Sequence, residues 1–335
     1  MQKLKIGVIG LGAISQIFHI PTLKKIKEVE LSAVCDLQMS KAQFLAKKYS
    51  IPKCYSSVDA MINENPKLDA VIIATPTDTH KELAINCLKA GYNVFVEKPI
   101  SRNYEETSAI VSAAEYNKRI LMVGMNNRFR SDVMFQRSFI RSKELTDIFY
   151  VKTGWLKTQS STEKWFLNQE KAGGGVFIDN GIVMLDLGLW MMDFPEPLSV
   201  NSVNFFHKTK KVEDSNFTMV KFKNGAVLTI EVSWSFIRKR EFFYCNVFGK
   251  NGSSSINPLR IYKKFNTDLI DLTPQNIQPL PDVTRKSYEY ELNYFIGVIK
   301  GRNKLISSGK EALQVMKITD YVYKSSKTGK ELFIK

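Results

Sequence analysis

The sequence predicts an α/β protein in two parts: a parallel sheet covered by helices over residues 1–125, then an α+β domain with a large, mostly antiparallel sheet over 126–335. Three observations carry this reading. Short β-branched runs alternate with longer amphipathic stretches up to about residue 125, the signature of strands joined by crossover helices. Beyond that point the rhythm changes to longer strand-like runs punctuated by turn dipeptides. The length, 335 residues, suits two domains at roughly 150 residues each.

The strands expected in the first part are LKIGVI (4–9), LSAVCD (31–36), DAVIIAT (69–75), NVFVEK (93–98) and ILMVGM (120–125). They are mostly apolar throughout, as strands buried on both faces should be. Segments 13–27, 40–49, 57–64, 79–90 and 104–117 carry apolar residues at three- and four-residue spacing and read as helices, with Asp78 and Thr79 available to cap one N-terminus. In the second part, strands are expected at 147–158, 198–207, 214–223, 226–234 and 242–248. Asn224-Gly225 marks a hairpin and Lys250-Asn251-Gly252 a similar turn, so the strands are expected to be antiparallel. A helix over 175–193 opens after three glycines, and helices at 287–300 and 309–326 close the chain.

Composition narrows the function classes. A chain 44% hydrophobic and 24% charged is ordinary globular usage, which excludes intrinsic disorder. The formal charge of +15 favours anionic partners, but the lysines are spread along the chain with no basic tail, which reads as a solvated surface and argues against nucleic acid. Cysteines at 35, 54, 87 and 245 match no zinc spacing, and with only three histidines no metal site is expected. Free buried thiols suit a reducing cytoplasm. No apolar run reaches the roughly 18 residues of a membrane helix, so no membrane partner is expected. The opening MQKLKIGVIGLGAI mimics a signal peptide, yet no small-x-small cleavage site follows, and it reads as strand and turn.

Directly after the first strand stands Gly10-Leu11-Gly12-Ala13-Ile14-Ser15, a GxGxxG/A fingerprint with Ser in the third position. Gly10 permits the tight turn, Gly12 lets the backbone approach a pyrophosphate, and the helix N-terminus behind supplies free N–H groups and a favourable dipole. Asp36 ends the second strand, where a carboxylate binds ribose hydroxyls. That carboxylate repels a 2′-phosphate and points to NAD, while Lys41 opposes it and leaves NADP open. Two further segments, Thr75-Pro76 through His80 and Glu97-Lys98-Pro99, lie at carboxyl strand ends, the edge where a doubly wound sheet binds ligands. His80 reads either as a site residue or as a helix-start residue bonded to nearby backbone. Lys98 sits before proline in extended backbone.

These segments, with GMNNRF, AGGGVFIDNGIVMLD, SGKEAL and SSKTGK, resemble the glucose-fructose oxidoreductase, inositol dehydrogenase and rhizopine-catabolism (Gfo/Idh/MocA) family over nearly the whole chain. The resemblance implies a Rossmann domain, an open-faced second sheet that often mediates homo-oligomers, and reversible oxidation of a hydroxyl on a sugar, cyclitol or sugar derivative. It places Gly10, Gly12, Ala13, Ile14, Asp36, Thr75, Pro76, His80, Glu97, Lys98 and Asn126 at the cofactor, and the EKP lysine, Lys98, in the active site. Arg128, Trp165, Asp179 and Val183 fall in the substrate region, and Trp155, Lys157 and Trp165 belong to a stretch that lies near the nicotinamide in some relatives. The family pattern DxGxHxxD reads here Asp179-Asn180-Gly181-Ile182-Val183-Met184-Leu185-Asp186, with valine at the histidine position. Valine neither accepts nor donates a proton, so Lys98, with Asp179 or a water, is left to carry proton transfer. A free lysine has a pKa of about 10.4, which a site must lower by desolvation before that lysine serves as a base. The alternative raised by Val183 is a dinucleotide-dependent binding or sensor protein without turnover, and imine reduction is a smaller possibility within the enzyme class.

Overall fold

The computed structural model describes residues 2–64, 67–159, 167–237, 239–274 and 282–335. From the N-terminus the chain forms β1 (Leu4–Ile9), a π-helical turn (Ser15–His19) running into α1 (Ile20–Lys25), β2 (Val29–Cys35), α2 (Met39–Tyr49) and β3 (Lys53–Tyr55). It continues through α3 (Val58–Glu64), β4 (Ala70–Ile73), α4 (Thr77–Lys89), β5 (Asn93–Glu97), α5 (Tyr104–Tyr116) and β6 (Leu121–Gly124). The next stretch holds α6 (Ser131–Arg141), β7 (Tyr150–Leu156), α7 (Gln169–Ala172), a second π-helical turn (Phe177–Gly181) and α8 (Ile182–Met191). Then come β8 (Pro197–Phe205), β9 (Ser215–Phe222), β10 (Val227–Ser233), β11 (Phe242–Gly249), β12 (Gly252–Ser255), β13 (Arg260–Phe265) and β14 (Asp268–Asp271). The chain closes with α9 (Val283–Ile299), α10 (Gly309–Thr328) and β15 (Leu332–Phe333).

Contacts divide the chain into two compact units, Met1–Asn126 with Thr284–Leu313, and Asn127–Val283 with Gln314–Lys335. The sequence division at 125/126 assigns 284–313 to the second domain, whereas these residues pack with the first. Apolar residues of α9 account for this: Leu292, Phe295 and Ile296 are buried, and the Phe295 ring lies 5.5 Å from that of Phe95 on β5.

The first unit is a six-stranded sheet in the order β3-β2-β1-β4-β5-β6, every pair parallel. The order reverses between β1 and β4, so the crevice at their carboxyl ends is the expected ligand position. Two expectations are corrected. β3 went unpredicted because its three residues carry no apolar run, and Lys53 is exposed. The N-cap position of α4 is Pro76 with no capping side chain, because Asp78 and Thr79 already lie inside the first turn.

The second unit is a nine-stranded sheet in the order β14-β13-β12-β11-β7-β10-β9-β8-β15. Its pairs are antiparallel except β7 with β10, which corrects the expectation for that pair. The chain passes through α7, α8, β8 and β9 before returning as β10, which is ample crossover for a parallel neighbour. α8 is apolar but for Asp186 and wholly buried, Gly188 fitting where a Cβ would strike Leu228 of β10. The stretch Gln169–Met191 is long and apolar enough to cross a membrane, but 94% of its 18-residue apolar window is buried inside the protein. α6 and β12 to β15 went unpredicted.

Candidate functional site

At the end of β1 the backbone turns through Gly10, whose φ of +86° suits glycine and where a Cβ would lie 2.5 Å from the Ala74 carbonyl oxygen. Ser15 donates from its hydroxyl to the Gly10 carbonyl at 2.5 Å, pinning the turn to the helix behind it. Gly12 differs: a Cβ there would meet nothing within 4 Å. Its open face, with the unpaired N–H groups at the start of the following helix beside Ala13 and Ile14, forms a cradle that fits a pyrophosphate. Asp36 closes the cradle from β2. Its Oδ2 accepts from the Leu11 N–H at 2.9 Å, its Oδ1 from the Gln38 N–H at 2.9 Å, and Lys41 Nζ lies 3.3 Å from both oxygens. The carboxylate is therefore fixed in place, with a lysine at its side.

At the carboxyl ends of β4 and β5, His80 is buried, with Nε2 2.8 Å from the Thr75 carbonyl oxygen and Nδ1 2.9 Å from that of Pro99. Burial lowers its pKa. Both ring nitrogens of His80 thus face backbone carbonyls, and its single N–H when neutral donates to one of them, in keeping with the backbone-bonded reading. Thr75 and Pro76 stand more open, and the Thr75 hydroxyl accepts from Thr79 at 2.7 Å. Glu97 is buried with Oε1 2.8 Å from His19 Nε2, and its Oε2 accepts from the Lys98 N–H at 3.2 Å. The His19 approach is off the hydrogen-bonding direction. Lys98 is half-buried at this strand end, and Asn126 donates to the Ser287 hydroxyl at 2.8 Å.

In the second unit the triple glycine leads into the π-helical turn that carries Asp179, which is 9% exposed. Gly174 and Gly175 are close approaches rather than loose loop, since a Cβ at Gly174 would strike the Tyr323 hydroxyl and one at Gly175 the Glu213 backbone. Asn180 accepts from the Trp234 indole at 2.7 Å, and Val183 is buried in α8. The guanidinium of Arg128, expected in the substrate region, is buried and bidentate on Asp186, at 2.7 and 2.5 Å, with its Cζ 5.4 Å from the ring centroid of Trp190 and 5.2 Å from that of Phe194. Trp165 lies outside the described residues. Trp155 meets Phe243 edge-on and takes Lys157 over its ring at 4.0 Å. Among the described residues no group of three or more His, Cys, Asp or Glu is placed to hold a metal.

Comparison with known proteins places the chain. The domain described as "Oxidoreductase family, NAD-binding Rossmann fold" matches residues 4–125, and the "GFO/IDH/MocA C-terminal domain" matches 135–255. The chain belongs to the Gfo/Idh/MocA oxidoreductase family. It is 28% identical to the D-glucoside 3-dehydrogenase of Escherichia coli (strain K12), over 97% of this chain and 96% of that protein. It is 29% identical to the myo-inositol 2-dehydrogenase of Thermotoga maritima, over 96% of each. In fold it superposes on levoglucosan dehydrogenase in complex with NADH at a TM-score of 0.88 with 21% identity, covering all of both chains.

Within this Gfo/Idh/MocA protein, two groups near Asp179 escaped sequence reasoning. Glu213 is buried and receives N–H groups of Gly175 and Phe177, and Tyr323 donates to it at 2.8 Å. Burial raises the Glu213 pKa, and burial with the facing carboxylate raises that of Tyr323. No motif marks either, as their partners lie 36 to 110 residues away in sequence.

Proposed function

We propose that this oxidoreductase oxidises a secondary hydroxyl of a sugar, glucoside or cyclitol, and reduces the matching ketone in reverse, with NAD as its cofactor. The full-length match to glucoside and inositol dehydrogenases carries the reading. Bound NAD supplies the hydride acceptor. Gly10, Gly12, Ala13 and Ile14 cradle its pyrophosphate, Asp36 binds the adenosine ribose, and Thr75, Pro76, Glu97 and Asn126 line the rest of its path. Lys98 takes the hydroxyl proton through Nζ and returns it in reverse. Asp179 orients the substrate through its carboxylate, and Val183 offers an apolar wall that moves no proton.

Copies of the chain associate through the exposed side of the nine-stranded sheet. Supporting this, Phe205, Phe217 and Phe236 meet edge-on there while 38%, 37% and 37% exposed, an apolar surface that gains from being covered. Four free thiols suit a reducing, cytoplasmic setting.

The test is turnover on methyl glucosides, inositols and glucose 6-phosphate, followed by NADH absorbance. One of these is oxidised by the parent, and Lys98→Ala abolishes that oxidation while NAD affinity stays within a few-fold. Binding without turnover across the panel would favour a sensor instead, and full activity of Lys98→Ala would remove Lys98 as the base.

A further inference from the structure

We infer that Glu213 and Tyr323 are positioning residues that hold the Asp179 turn at its working geometry; this rests on reading Asp179 as the substrate-facing carboxylate. Glu213 Oε1 collects three donors, the Gly175 N–H at 3.0 Å, the Phe177 N–H at 2.9 Å and the Tyr323 hydroxyl at 2.8 Å, and Oε2 shares the Gly175 N–H at 3.0 Å. The Tyr323 hydroxyl accepts in turn from the Ile178 N–H at 3.2 Å. Gly175 then passes the constraint directly to the site, its carbonyl accepting from the Asp179 N–H at 3.2 Å. Three N–H groups of a single turn, those of Gly175, Phe177 and Ile178, are thereby anchored to one buried carboxylate and one buried phenol. Among the described residues neither group is paired with a cation, and their polar atoms serve this backbone and each other. The missing Cβ atoms of Gly174 and Gly175 are what let the two side chains approach so closely. A π-helical turn lacks the regular ladder that holds an α-helix, and an external brace fixes where its side chains point.

The experiment combines two readouts on Tyr323→Phe, Glu213→Leu and Glu213→Gln in the full chain. Amide hydrogen exchange over 175–179, read without substrate, speeds up in the first two variants with the rest of the unit unchanged. With the sugar or cyclitol that the parent oxidises best, Tyr323→Phe loses about tenfold in kcat, the equivalent of one hydrogen bond. Glu213→Leu loses on the order of a hundredfold, as for a misplacement of about 1 Å. NADH affinity by fluorescence stays within about twofold in both, because the dinucleotide cradle is built from residues of the other unit. Glu213→Gln recovers most of the rate, since its amide oxygen accepts the same three donors. Unchanged exchange over 175–179 in Tyr323→Phe overturns the inference, and so does parental kcat in that variant. Should Glu213→Leu fail to fold, Tyr323→Phe decides alone. Asp179→Asn is assayed beside them: if it keeps full kcat, the reading of Asp179 fails; if it loses activity while Tyr323→Phe does not, only the brace fails.

Discussion

Replacing Arg128 by methionine strands the Asp186 carboxylate. Both side chains are almost fully enclosed, at 1% and 3% exposure, and their two hydrogen bonds are the bidentate kind that holds a guanidinium in one plane. Breaking a buried pair from one side costs about 3–5 kcal/mol, because the remaining charge keeps its desolvation penalty without its partner. At roughly 2–4 °C per kcal/mol, the thermal midpoint of the second unit falls by about 10 °C in Arg128→Met. Asp186→Leu alone does the same, and the double variant recovers most of the loss, since an apolar pair of similar volume carries no such penalty. Circular dichroism melts of the four proteins give the coupling energy, expected above about 4 kcal/mol because two losses of about 3–5 kcal/mol collapse to one small loss in the double variant. An Arg128→Met protein that melts within about 2 °C of the parent, with a raised KM for the sugar, would refute this and return the guanidinium to the substrate.

Gly12→Val leaves the melting temperature essentially unchanged but weakens NAD binding by more than about tenfold, because its side chain takes the space the pyrophosphate needs. Gly10→Ala instead destabilises the protein by more than about 1 kcal/mol, through its positive φ and the Ala74 carbonyl. Asp36→Ser weakens NAD by about tenfold, the loss of one charged hydrogen bond, and shifts relative affinity toward NADP; an unchanged preference in titrations rules Asp36 out as discriminator. For Glu213 the folded state holds the proton more tightly than the unfolded state, whose value is near 4.5, so stability attributable to this group falls as pH rises from 4.5 toward the raised folded value. Glu213→Gln has no such titration, and its stability relative to the parent therefore improves as pH rises above about 4.5 in paired melts.

The parts that were legible in the sequence are those encoded locally. The strand-turn-helix around Gly10 and Gly12 combines apolar run, glycine spacing and a carboxylate at a fixed distance, and each constrains the others. Strand direction is not encoded in alternation, so the β7–β10 pair read as antiparallel until its crossover was visible. Arg128 sits 58 residues from Asp186, and nothing near it in sequence announces that its charge is already spent. His80 shows the intermediate case: both of its possible roles were legible, but the two carbonyls that face its ring nitrogens were not. Glu213 stands between lysines and Asp214 in a segment that reads as solvated, and its burial follows from glycines nearly forty residues earlier.

The return of α9 to the first unit has a consequence for how the protein is made. Residues 1–126 leave the ribosome without the helix that covers Phe95, without Tyr288 to stack on Phe18 at 4.3 Å, and without Lys300 and Arg302 to neutralise Glu28. The Val123 N–H also waits for the Ser307 carbonyl, 2.8 Å away in the finished fold. The nucleotide-binding half is therefore begun first but completed only after strands β7 to β14 of the other unit have been synthesised. A fragment cut at residue 126 carries every glycine of the cofactor turn yet exposes an apolar flank, and a nascent chain must keep that flank from sticking until some 170 further residues have emerged.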